Sequence, residues 1–208
     1  MTMRRVLIWV SMAGAALWSG CGAARPIKYY QLTMPNNSAP AADASPYPIT
    51  LLVGPVAGPH LYREDQIVYS SSAESMGLYE THKWAEPPTD MLQNILAREL
   101  RSSGRYLSVS SLRSNARGDY LLQGRLYDFK EVDGNPLGAR LSVEYELREV
   151  KSGATVWSHY YTHDEPVGGK DVSAVVAALD RNAQAMMGQV RAGLEQYFSS
   201  HPPVAPEK

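Results

Sequence analysis

Cysteine is nearly absent: Cys21 is the one such residue among 208. No disulfide can form within the chain, so the fold must rest on its apolar core. No apolar run reaches the roughly 20 residues that a membrane-spanning helix needs; the best candidate covers only residues 6–18. Charge of one sign is also lacking, with 20 Lys and Arg against 21 Asp and Glu. A near-neutral chain has no electrostatic footprint for nucleic acid and no basic run suited to anionic lipid. The motifs of hydrolases and zinc proteases, G-x-S-x-G and H-E-x-x-H, do not occur. His159 and His163 have a metal-like spacing for a helix but fall on a predicted strand. There they stand about 13 Å apart, too far to share an ion. The run His163-Asp164-Glu165 reads as a solvated strand end, and Asp128 and Glu131 as strand charges that serve solubility. No metal site, no catalytic residue and no enzymatic activity are expected.

What is present begins with a leader. Arg4 and Arg5 form a basic start, residues 6–18 an apolar stretch, and Ser19-Gly20 a small-residue approach to Cys21. This is the pattern of a secretory signal. It also resembles a lipobox, with Trp18 where Leu is usual and Leu17 one position too early. Residues 1–20 are therefore expected to be a signal peptide, and Cys21 the lipidated N-terminus. Acylation would consume the only thiol and supply the only prosthetic group, a covalent lipid. One acyl chain binds a bilayer marginally, whereas two or more make a durable anchor. Beyond the leader the chain carries 18 basic and 21 acidic residues, a net charge of −3. By the family-level rule that Asp after the cysteine retains a lipoprotein at the inner membrane, Gly22 favours the outer membrane, periplasmic face.

Residues 21–27 read as a short tether, 28–200 as one domain and 201–208 as a flexible Pro-rich tail. Strands are expected at 28–33, 49–53, 66–70 and 77–84, with 34–48 a loop and Gly54-Pro55 ending the second strand. Pro87-Pro88 stops the sheet. Thr89 or Asp90 would cap a helix whose apolar face holds Leu92, Ile95, Leu96 and Leu100, ending at Gly104. A meander of strands at 107–109, 120–131, 139–147 and 155–162 follows, with Gly124 a bulge or a point of close packing. Residues 139–147 alternate cleanly, Ala139, Leu141, Val143, Tyr145 and Leu147 inward and Arg140, Ser142, Glu144 and Glu146 outward. A long helix over 171–198 carries the stripe Val172, Val175, Val176, Leu179, Ala183, Met186, Val190, Leu194 and Tyr197. The fold class is α+β: a single domain, an antiparallel or mixed β-sheet with one short and one long helix packed on it. The aromatic set Tyr62, Tyr69, Tyr79 and Trp84 suits either sheet packing or a partner-contact surface, since Tyr and Trp give large area at low ordering cost.

Several motifs come in a telling order: K-Y-Y-Q-L at 28–32, I-T-L-L-V-G-P-V at 49–56, Q-I-V-Y at 66–69, W-A-E-P-P at 84–88 and D-Y-L-L-Q-G-R-L-Y-D-F at 119–129. Together they resemble the ABC-type transport auxiliary lipoproteins, over nearly all of the chain after Cys21. The resemblance implies a non-enzymatic subunit that works with MCE-domain proteins and ABC-transporter components. Those systems move phospholipids or other hydrophobic molecules between two membranes, and the subunit would dock the periplasmic MCE assembly at a membrane. It leaves room for a homo-oligomer. The alternative is another outer-membrane lipoprotein adaptor of similar α+β build, such as an activator of a cell-envelope synthase. A lipid-anchored hydrolase would need a nucleophile–base pair that the sequence does not offer.

Overall fold

The computed structural model describes residues 25–33, 46–72 and 74–203. The expected signal peptide, Cys21, most of the 34–48 loop and the end of the tail lie outside the described residues. The described part is one mixed sheet of eight strands with two helices on it. The strands are β1 (Lys28–Tyr30), β2 (Tyr47–Ala57), β3 (Gln66–Ser70), β4 (Met76–Trp84), β5 (Tyr106–Ser111), β6 (Tyr120–Val132), β7 (Gly138–Glu149) and β8 (Thr155–Pro166). The helices are α1 (Pro88–Ser102) and α2 (Val172–Ser200), with a single 3-10 turn at His60–Tyr62.

The sheet is forked. The long strands β6, β7 and β8 form an antiparallel meander. Two strands share the other edge of β6, both parallel to it: β2 runs beside its first half and β3 beside its end. Beyond β2 lies β5; beyond β3 lie β4 and then β1. The expected four-strand meander is thus corrected at its first member. β5 does not pair with β6 but crosses by way of α1 to lie parallel to β2. The β3–β4 hairpin and α1 lie between β2 and β5 in the chain, the long connection that a parallel pair needs. β2 also continues past Gly54-Pro55 and begins before Ile49, at Tyr47. Pro55 sits where the β2–β6 register shifts, between Val53 and Val56, so its missing N–H costs the ladder nothing there.

Both helices cover one face. α1 packs on β2 and β5, α2 on β7 and β8, and the two helices touch. Ala139, Leu141, Val143, Tyr145 and Leu147 are all buried, as the alternation requires. Ser142 on the opposite face is buried too, because its hydroxyl bonds that of Thr162 at 2.8 Å. The stripe of α2 is core from Val175 to Leu194. At its ends Val172 and Tyr197 are only partly buried, and Phe198 takes the inner position instead. Asp171 caps this helix, accepting from the Ala174 amide at 2.9 Å. α1 starts differently from expectation. Pro87 is its cap and Pro88 its first residue, so no side chain of Thr89 or Asp90 caps it. Proline fits a first helical position because its absent N–H would have had no partner in the helix. Gly104 ends α1 region with φ 63°, a left-handed conformation that glycine adopts freely.

Gly124 marks close packing. A Cβ there would lie 2.8 Å from Tyr145 Cε1 and 3.3 Å from Val56 Cγ2. Tyr145 is wholly enclosed and cannot swing away. Gly124→Ala should therefore destabilise the domain by about 1–3 kcal/mol, the usual range for overpacking. Urea denaturation measures it; an unchanged midpoint would mean that the ring has room to move.

The N-terminal end is tied down twice. β1 pairs in parallel with β4, Lys28 to His82 through Tyr30 to Trp84. Then Thr33 is clasped by α2: Asp180 accepts from its amide at 2.7 Å and from its hydroxyl at 2.6 Å. Gln184 donates to the same hydroxyl at 2.9 Å. No helix among the described residues is long and apolar enough to cross a membrane.

Candidate functional site

The four aromatic residues singled out as a contact surface divide into two pairs. Tyr62 and Trp84 are 2% and 1% exposed and belong to the core. That corrects their reading as surface contacts. Trp84 packs on Phe129 with ring centroids 5.3 Å apart, beneath the end of the sheet that β1 completes. Burial pushes the Tyr62 phenol up to about 12. Aromatic type alone says nothing about which face of a strand a ring takes.

Tyr69 and Tyr79 are half-buried and stand together, centroids 5.1 Å apart. Tyr69 lies opposite Gly77 on the neighbouring strand. A Cβ on residue 77 would sit 2.3 Å from the Tyr69 ring, so the glycine is what lets the ring lie across β4. Tyr79 makes an edge contact with His82 at 6.0 Å, and His82 stacks on Tyr30 at 5.9 Å. The Tyr79 hydroxyl donates to Glu131 Oε2 at 2.7 Å. Burial first, and then that carboxylate, hold the phenol far above the ordinary range. Tyr79 is thus neutral at any physiological pH.

These rings wall a groove of about 640 Å³. Arg25, Leu78, Glu131 and Val172 also line it. It opens between the β3–β4 hairpin and the first residue of α2. Ser70 Oγ donates to the Ser72 carbonyl at 2.6 Å. The His82 ring meets Thr81 Oγ1 at 3.2 Å. His159 faces Gln189 on α2, and His163 faces Glu165 on its own strand. Asp128 pairs with Lys130 at 2.7 Å. Among the described residues no three His, Cys, Asp or Glu side chains gather as a metal site. What the groove offers is rings, a few polar atoms and mixed charge, which is the chemistry of binding. Sequence reasoning missed His82 and Glu131 in this wall, and Tyr30 stacked behind His82. The pairing of β1 with β4 and of β3 with β6, which brings them together, leaves no local signal.

The fold defines a class before it defines a family. Protein XCC0632 from Xanthomonas campestris matches with a TM-score of 0.69 at 22% identity, over 80% of this chain and 93% of that one. A second solved structure, an uncharacterized protein, matches with a TM-score of 0.62 at 16% identity, over 80% and 97%. These likenesses establish the forked α+β architecture as a shared one. The chain belongs to the family of ABC-type transport auxiliary lipoprotein components, whose model matches residues 30–191. No curated protein sequence matches the chain.

Proposed function

We propose that this chain is a lipid-anchored, non-enzymatic subunit of an MCE/ABC-type intermembrane transport system for lipids or other hydrophobic compounds. Cys21 carries the acyl anchor, and the domain docks the periplasmic MCE assembly at the outer membrane. The observation that carries the reading is the groove walled by Tyr69 and Tyr79. It is half-apolar and open at one side, and it lies in a chain whose family serves ABC-type transport. Along its rim runs the Met76–Thr81 part of β4. One edge of that stretch pairs with β3, and β1 reaches only His82–Trp84 on the other. A partner segment could therefore add as a strand and set alternate side chains against the tyrosines, a common mode of peptide recognition.

Co-purification tests this. Tyr69→Ala and Tyr79→Ala leave the core intact and should each weaken capture of an MCE-domain partner by the lipidated protein. Rim and core contacts of this kind contribute about 1–2 kcal/mol each, or roughly 5- to 30-fold in affinity. Normal capture by both variants would overturn the contact surface. Capture of a cell-envelope synthase in place of an MCE protein would overturn the transport role.

A further inference from the structure

We propose that the end of the domain bearing the β3–β4 hairpin rests on the bilayer surface, with Met76 and Leu78 in contact with lipid. The inference rests on Cys21 being the acyl anchor and goes beyond it by fixing which surface faces the membrane.

Three observations converge. The first is reach. Arg25 is four residues from Cys21, so the acylated residue lies within about 14 Å of it at 3.3–3.6 Å per step. The second is position. Arg25 lines the same groove wall as Leu78, Tyr79 and Thr81. β1 runs parallel to β4, so stepping back from Lys28 is stepping back along β4 from His82, toward Met76. The anchor therefore enters at the hairpin end of the molecule and not at the far end. The third is exposure. Met76 is 53% exposed and Leu78 40%. Large apolar side chains left in water next to a lipid anchor have an obvious apolar phase to enter.

Charge near the site decides which lipid surface fits. Arg25, Lys28 and Lys130 stand near Glu74, Glu80, Glu131 and Asp133 at this end. The patch has no excess of positive charge, so contact depends on apolar insertion and not on anionic headgroups. Leu78 also lines the rim of the groove, whereas Met76 lies outside it.

The far end supplies a matched control. β6 spans 13 residues, so its two ends are about 40 Å apart. Val150, in the β7–β8 turn beside the start of β6, is a 49% exposed apolar residue at that opposite end. Because acylation consumes the only native thiol, a second cysteine is uniquely labelled. Full-length lipidated protein carrying Met76→Cys, Leu78→Cys or Val150→Cys would bear an environment-sensitive fluorophore in phosphatidylcholine vesicles. Spin-labelled phosphatidylcholine then acts as quencher. The labels at 76 and 78 should shift to the blue and lose most of their emission, while the label at 150 keeps its emission. Flotation with the vesicles reports the anchor separately. Protein that floats but shows equal quenching at all three positions, quenching at 150 alone, or none at all overturns the orientation and leaves the anchor standing. Protein that fails to float overturns the anchor and the orientation together.

Discussion

Phe198→Ala is expected to lower the unfolding free energy by about 3–5 kcal/mol, the range for removing a buried aromatic ring. Phe198 is fully enclosed although it lies two residues from the end of α2. Its ring meets those of Tyr47, Tyr120 and Tyr197 at 5.2–5.3 Å, and that of Tyr106 at 5.9 Å. Tyr47 opens β2, Tyr106 opens β5 and Tyr120 opens β6. One side chain therefore joins the last helical turn to the first residues of three strands. Truncation leaves a cavity walled by rigid rings that relax poorly, so the loss belongs near the upper end of the range. For a domain of this size the melting temperature should fall by roughly 10 °C. A melting curve that superimposes on the wild type would show that the end of α2 is undocked in solution.

Asn182→Ala is expected to cost about 3 kcal/mol, which is large for a polar residue. Asn182 is 0% exposed in the middle of the apolar stripe of α2. Its amide donates to the Ala139 carbonyl at 2.9 Å and to the His163 carbonyl at 2.8 Å. Its oxygen accepts from the Tyr161 hydroxyl at 2.6 Å. The side chain thus pins the helix to β7 and β8 at once. Alanine removes three bonds and leaves the Tyr161 hydroxyl only its longer 3.4 Å contact with the residue 182 carbonyl, and a poorly matched buried group costs about 1–3 kcal/mol by itself. Chemical denaturation measures the loss. Asn182→Ala,Tyr161→Phe should recover part of it, because the weakly matched hydroxyl is removed; a double variant no better than the single one would refute the coupling.

Asn182 also shows where a sequence stops being informative. The apolar residues at three- and four-residue spacing located α2 to within two residues at its far end, because periodicity is a local property. The same spacing cannot say that one polar residue inside the stripe reaches across to two strands. In β7 the period of two was read correctly for all five inward residues, since a strand that is buried on one face writes that fact into its own sequence. Pairing partners are not written in this way. Nothing between Tyr106 and Ser111 says that β5 lies against β2 and not against β6, and nothing in Trp84 says that a three-residue strand 54 positions earlier closes over it. The contact surface suffered for the same reason. Tyr62, Tyr69, Tyr79 and Trp84 look alike along the chain, and only the assembled sheet sends two to the core and two to the groove. Cys21 was legible as a candidate anchor from its leader, a signal that does not depend on the fold.

The double tie of the N-terminal end has a mechanical side. Tension arriving through Arg25 pulls along the axis of β1, which lies parallel to its neighbour β4. Such a load shears the ladder, so its bonds must yield together instead of peeling one by one. Behind the ladder stands a second stop, the grip of Asp180 and Gln184 on Thr33. It hands any remaining force to the longest helix of the domain and spreads it over the whole core. A strand of three residues is a weak hold when peeled; set in shear and backed by a latch, it makes a firm mooring.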